Sequence, residues 1–76
     1  MNRDKRKRLD VAISLLNQAR DIVEDVSNEE QEGFDNLTEG LQASERGQQM
    51  EEAVSNLNDV IDNIDTAISY IEEAQA

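Results

Sequence analysis

The chain has 76 residues, with neither cysteine nor histidine, and its 18 acidic and 7 basic side chains give a formal net charge of −11. A chain of this length forms one small domain at most, with a marginal core. It cannot be held by disulfides, and it lacks the usual transition-metal ligands, general base and thiol nucleophile. We therefore predict a single-domain, non-enzymatic protein without cofactor or metal that gains stability by self-association.

The charge is divided unevenly along the chain. Residues 1–8 carry five basic groups and one acid (5 − 1 = +4), and residues 9–76 carry two basic groups and 17 acids (2 − 17 = −15). The acidic body repels nucleic acid and acidic membranes and favours basic protein surfaces. The basic arm at the start of the first helix consists of Arg3, Lys5, Arg6, Lys7 and Arg8. It could touch nucleic acid, but we favour compensation by Glu72 and Glu73 at a neighbouring helix end.

Apolar residues recur at helical spacing through the first half of the chain. The main stripe is Leu9, Ala12, Leu16, Ala19, Val23 and Val26, flanked by Ile13, Leu15 and Ile22. This spacing predicts an amphipathic helix over 9–36, with residues 1–8 as its start. Ser27-Asn28-Glu29-Glu30 could open a new helix, but Phe34 and Leu37 continue the stripe and favour one helix.

Turn signals occupy residues 37–44, and Ser44 is a suitable N-cap for a second helix over 45–75. Its stripe combines Met50, Leu57, Ile64 and Ile71 with Ala53, Val60, Ala67 and Ala74, and with Val54, Ile61 and Ile68 beside them. Two long helices joined by a short connection lie antiparallel. The prediction is an all-α fold, with residues 1–76 forming a two-helix hairpin.

The apolar stripes are wider than a single interhelical seam can cover. The candidate interface residues are Leu15, Ile22, Val54, Ile61, Ile68 and Tyr70. They predict a homodimer in which two hairpins form a four-helix bundle, unless the other helices come from a partner. Phe34 is assigned to core packing. Tyr70 fits flank packing and a partner anchor equally well.

Acidic residues follow the polar side of both predicted helices. The candidate acidic face consists of Glu51, Asp59, Asp62, Asp65 and Glu72 with Asp21, Asp25, Glu29 and Glu32. We favour a solvated surface, while the near absence of Lys in the body keeps imitation of DNA phosphates open as an alternative. The spacing by three of Asp59, Asp62 and Asp65 lacks the glycine and final Glu of an EF-hand, which favours a solvated face over a metal site.

The segments Asn28–Gln42, Ser44-Glu45-Arg46-Gly47 and Met50-Glu51-Glu52-Ala53 resemble a family of small acidic proteins from bacterial and bacteriophage or prophage genomes, most of them uncharacterised. Members tend to have proline at the position of Thr38, which supports a helix break there. The resemblance implies no activity. It suggests a phage or mobile-element setting, in which short acidic proteins commonly inhibit a host enzyme or defence system by binding it.

The leading hypothesis is a homodimeric protein-binding modulator, an inhibitor of a host nucleic-acid-handling or defence protein with a basic surface. The alternative is a structural or assembly module of helices with no inhibitory role. A weaker alternative is nucleic-acid or nucleotide binding through the basic arm; direct nucleic-acid binding is otherwise not expected. The apolar run after the arm is interrupted by Asn17-Gln18 and no cleavage site follows, so we expect neither secretion nor membrane association, and a cytoplasmic location in a bacterial host.

Overall fold

A computed structural model describes all 76 residues. It consists of three helices: α1 over Arg3–Asp35, α2 over Glu39–Gln42 and α3 over Glu45–Gln75. The prediction of an all-α class is confirmed, because the chain forms no strand. Neither long helix contains a stretch apolar enough to cross a lipid bilayer.

A short polar side chain caps the start of each helix. Asn2 Oδ1 accepts a hydrogen bond from the backbone N–H of Lys5 at 2.8 Å, and Ser44 Oγ accepts one from Gly47 at 3.3 Å. Thr38 does the same for α2. Such caps satisfy backbone donors that have no partner within the helix. Because α1 begins at Arg3, the basic arm forms the first turns of this helix, and α2 occupies part of the expected connection.

The two long helices run antiparallel and side by side. Arg20 Nε donates a hydrogen bond to Asp65 Oδ1 at 2.7 Å, and Ser27 Oγ donates one to Asn58 Oδ1 at 3.1 Å. From the first pair to the second, α1 advances by seven residues while α3 goes back by seven. A single helix of 76 residues would be about 114 Å long. The longest dimension of the molecule is 58 Å, because α1 and α3 overlap over most of their length.

The contact between α1 and α3 is a seam of residues spaced alternately by three and four. Half-buried or buried side chains define it: Leu9, Ile13, Leu16, Arg20, Val23, Ser27, Glu30 and Phe34 on α1, and Met50, Val54, Leu57, Ile61, Ile64, Ile68, Ile71 and Gln75 on α3. This is the heptad spacing of two helices that pack side by side. Only Ser27 and Gly47 are buried, and no apolar residue is.

The assignment of Val54, Ile61 and Ile68 to an open flank is wrong. These residues alternate with Leu57 and Ile64 in the seam, where each is half-buried against α1. They were misplaced because the neighbouring Ala and Val positions of α3 are also apolar and equally periodic. On α1, Ala19 and Val26 are exposed, although the periodicity assigned them to the main stripe.

The basic arm extends past the end of α3. Continuing the Arg20–Asp65 alignment by ten residues places Gln75 beside Asp10, and these two side chains line one groove. Residues 3–8 therefore have no part of α3 beside them. Their one ion pair joins Arg8 to Asp4 within α1 at 3.1 Å. The expected compensation of the arm by Glu72 and Glu73 is wrong for this reason.

Gly47 provides a test of the junction between α2 and α3. A Cβ at this position would lie 2.7 Å from the carbonyl oxygen of Leu41 and still closer to that of Gln42, both of them backbone atoms. We expect Gly47→Ala to lower the free energy of unfolding by about 1–3 kcal/mol, because the junction must shift. Urea unfolding followed by circular dichroism measures this change.

Gly40→Ala is the matched control, because nothing lies within 4 Å of a Cβ added there. Its expected effect is an unchanged stability or a gain of up to about 1 kcal/mol. Equal unfolding midpoints for the two variants would contradict the close approach of α2 to Gly47.

Candidate functional site

The antiparallel pair has two broad faces that can be told apart by their position relative to the seam. A groove on one side is lined by Asp10, Asn17 and Asp21 of α1 together with Glu72 of α3. Each of these residues directly follows a seam residue in the sequence. Residues that follow seam positions therefore share one face on both helices, and residues that precede seam positions share the opposite face.

The face that follows the seam is acidic. Its carboxylates are Asp10, Asp21, Glu24, Asp35, Glu51, Asp62, Asp65 and Glu72, and we call these eight residues the acidic face. Arg20, at its border, is the one basic residue beside it. The guanidinium pairs with Asp65 at 2.7 Å and with Glu24 at 3.0 Å. The hydrogen bond to Asp65, with the charges of both acids, raises the pKa of Arg20.

The other six carboxylates of the acidic face have no basic partner within 4.0 Å in the molecule, because its three ion pairs involve only Asp4, Glu24 and Asp65. Unpaired like charges along one face produce a negative potential that attracts basic groups at low salt. The acidic face therefore has a negative electrostatic potential, although its side chains are well hydrated.

The structure divides the nine acidic residues singled out in the sequence. Asp21, Glu51, Asp62, Asp65 and Glu72 belong to the acidic face. Helical geometry places Asp25, Glu32 and Asp59 at the outer edges of the pair, turned away from the seam, and Glu29 on the side opposite the acidic face. Three further acids, Asp10, Glu24 and Asp35, belong to the acidic face and were missed. Assigning the heptad positions before grouping the charges would have found them.

The opposite face is apolar. Its residues are Ala12, Leu15, Ala19, Ile22 and Val26 on α1 and Ala53, Val60, Ala67, Tyr70 and Ala74 on α3, and we call them the apolar face. The larger side chains are notably open to solvent: Ile22 is 65% exposed, Leu15 is 59% exposed and Tyr70 is 67% exposed. These three were interface candidates in the sequence. Val26 and Val60 were not, because they had been counted as part of the stripes.

The accessible surface of this elongated chain exceeds that of a compact monomer. The accessible surface is 5594 Å², whereas compact monomers of 8.6 kDa expose about 4,700 Å². The radius of gyration is 17.2 Å, against about 11 Å for a compact domain of this length. The excess of about 900 Å² is close to the roughly 800 Å² that each partner buries in a standard protein interface.

The acids are spread along the helices, and no three of them gather into a cluster that could hold a metal ion. Asp59 lies at the outer edge of α3, whereas Asp62 and Asp65 lie on the acidic face, and only Asp65 reaches a partner on α1. Searches against protein-family models, curated proteins and solved structures find no match to this chain.

Proposed function

We propose that this protein is a non-catalytic binding module. Its antiparallel hairpin pairs through the apolar face with a second copy, and the resulting four-helix bundle binds a basic surface of another protein through its acidic faces. The observation that carries the proposal is the separation of the two kinds of surface: Leu15 and Ile22 lie on one face, and Asp21 and Glu72 lie on the other. Dimerisation through the apolar face leaves both acidic faces accessible.

The chemistry of the acidic face favours a partner that normally handles nucleic acid. Its carboxylates extend from Asp10 to Asp35 along α1, about 37 Å at the helical rise of 1.5 Å per residue. An elongated row of negative charge suits a cleft that binds phosphates. The resemblance to small acidic proteins of phage and prophage genomes supports the same setting. The proposed role is inhibition of a host nucleic-acid-handling or defence protein.

A purely structural role is the second candidate, and the absence of any buried apolar side chain favours it. A helical pair without a closed core needs further helices whatever else it binds. In this case the apolar face carries the function, and the acids provide only hydration and charge repulsion between assemblies.

Neutralising part of the acidic face tests the leading proposal. We expect Asp21→Asn/Asp62→Asn/Glu72→Gln to reduce capture of a partner from a nuclease-treated bacterial lysate, because it removes three unpaired charges from this face. Capture by the unaltered protein should fall between about 0.1 M and 0.5 M salt, where the Debye length shrinks from about 10 Å to roughly 4 Å. Quantitative mass spectrometry of the eluates measures both effects.

The matched control is Asp25→Asn/Glu32→Gln/Asp59→Asn, which makes the same change in net charge at the outer edges. We expect this variant to keep most of the captured partner. If both variants lose it equally, the partner senses total charge and not the acidic face. If neither loses it, the electrostatic version of the proposal fails and the structural role gains support.

Dimerisation has its own test at the apolar face. We expect Leu15→Gln/Ile22→Gln to convert the dimer to a monomer, because four amide groups would enter the proposed interface without partners. Light scattering after size exclusion measures the mass, and the concentration dependence of the melting temperature should disappear. Leu15→Met/Ile22→Met keeps apolar volume and should remain dimeric. A monomeric unaltered protein at 100 μM, on the order of ordinary assay concentrations, would refute dimerisation.

A further inference from the structure

The two ends of the molecule carry opposite charge. At one end lies the basic arm, in which Arg3, Lys5, Arg6, Lys7 and Arg8 accompany a single acid, Asp4. The other end, which we call the acidic end, contains Glu29, Glu30, Glu32, Asp35, Glu39 and Glu45, and residues 29–45 include no basic residue. Along its 58 Å axis the protein is therefore electrically polar.

The apolar face occupies the middle of the molecule and leaves both charged ends outside it. On α1 it extends from Ala12 to Val26, so its centre lies at Ala19. The basic arm ends at Arg8, four residues before Ala12, and the acidic end begins at Glu29, three residues after Val26. A second copy that packs on the apolar face therefore also brings its own charged ends next to the charged ends of the first copy.

We propose that two copies pack antiparallel across their apolar faces, so that the basic arm of each copy lies against the acidic end of the other. This inference rests on the proposed dimerisation and adds its orientation. A two-fold axis near Ala19 places residues 3–8 of one copy beside residues 30–35 of the second copy. In a parallel dimer the two basic arms would lie together, as would the two acidic ends, and like charges would repel at both.

Arg8 and Glu29 are the pair best placed to set this orientation. Arg8 directly precedes the seam residue Leu9, and Glu29 directly precedes the seam residue Glu30, so both lie on the side of the apolar face. Lys5 and Arg8 line a shallow cleft together with Leu9. The Arg8 side chain is 70% exposed and pairs only with Asp4 of its own helix, and Glu29 has no basic partner within the molecule.

A distance measurement separates the two orientations. The chain has no cysteine, so Ala43→Cys introduces one labelling site, on an exposed residue between α2 and α3. With the helical rise of 1.5 Å per residue, two spin labels at this site lie about 60 Å apart in the antiparallel dimer. In a parallel dimer they lie about 20 Å apart, which is set by the helix-to-helix spacing alone. Pulsed electron paramagnetic resonance resolves these distances.

Charge reversal tests the pairing itself. We expect Arg8→Glu and Glu29→Arg each to raise the dimer dissociation constant about tenfold at low salt, because each turns two attractions into repulsions. The combined variant should return the constant to near its original value. Lys7→Glu is the control, since Lys7 lies on the outer side of α1, and it should change the constant by less than about twofold. Arg8→Glu also removes the exposed Arg8–Asp4 ion pair of α1; such a pair adds little to stability, and an acid near the start of the helix complements its dipole.

The outcomes separate orientation from dimerisation. A dimer with the long distance and with rescue by the combined variant supports the proposal. A dimer with labels about 20 Å apart, or one in which the combined variant is not rescued, overturns the antiparallel orientation and leaves dimerisation standing. A protein that stays monomeric by light scattering overturns dimerisation, and the orientation with it.

Discussion

Two helices cannot enclose a large apolar side chain between them, and most of the properties of this molecule follow from that constraint. A seam residue such as Leu57 or Ile61 meets α1 on one side and remains open to water above and below. The chain therefore has no buried apolar residue despite sixteen seam positions. The hydrophobic gain of one seam is small against the conformational entropy of 76 ordered residues. The second copy that we propose for the apolar face would supply the missing burial.

The polar pairs across the seam contribute to the register that the helices adopt. Because the apolar positions repeat every seven residues, sliding α3 by one heptad would still place apolar side chains on apolar side chains. It would separate Arg20 from Asp65 and Ser27 from Asn58, although a slide in one direction would bring Glu72 opposite Arg20. An exposed ion pair adds little to stability, so the short connection between α1 and α3, which limits sliding, also holds the observed register. That register also determines that the basic arm extends beyond α3.

The sequence predicts the class and the start of α3 well, because both depend on local spacing and on the cap at Ser44. It does not predict which of two neighbouring apolar stripes faces α1. Ala53 and Val54 lie about 100° apart on the helix, and periodicity alone treats them alike. The position of Asp65 opposite Arg20 resolves the choice, and that contact joins residues 45 positions apart. The exposure of Leu15, Ile22 and Tyr70 could be anticipated, because these residues flank the apolar stripes. The compensation of the arm by Glu72 could not be judged, because it depends on where α3 ends beside α1.

Apolar and charged groups have different parts in the proposed assembly. Apolar burial has no direction, so the central patch around Ala19 supports a parallel or an antiparallel partner equally well. Charge at the ends distinguishes the two, because Arg8 is attracted to Glu29 of the second copy in one arrangement and repelled by Arg8 of the second copy in the other. Exposed charges influence orientation and approach more than affinity. Added salt should therefore reduce the preference for the antiparallel orientation before it weakens the dimer. Screening acts on the charged ends and leaves apolar burial intact.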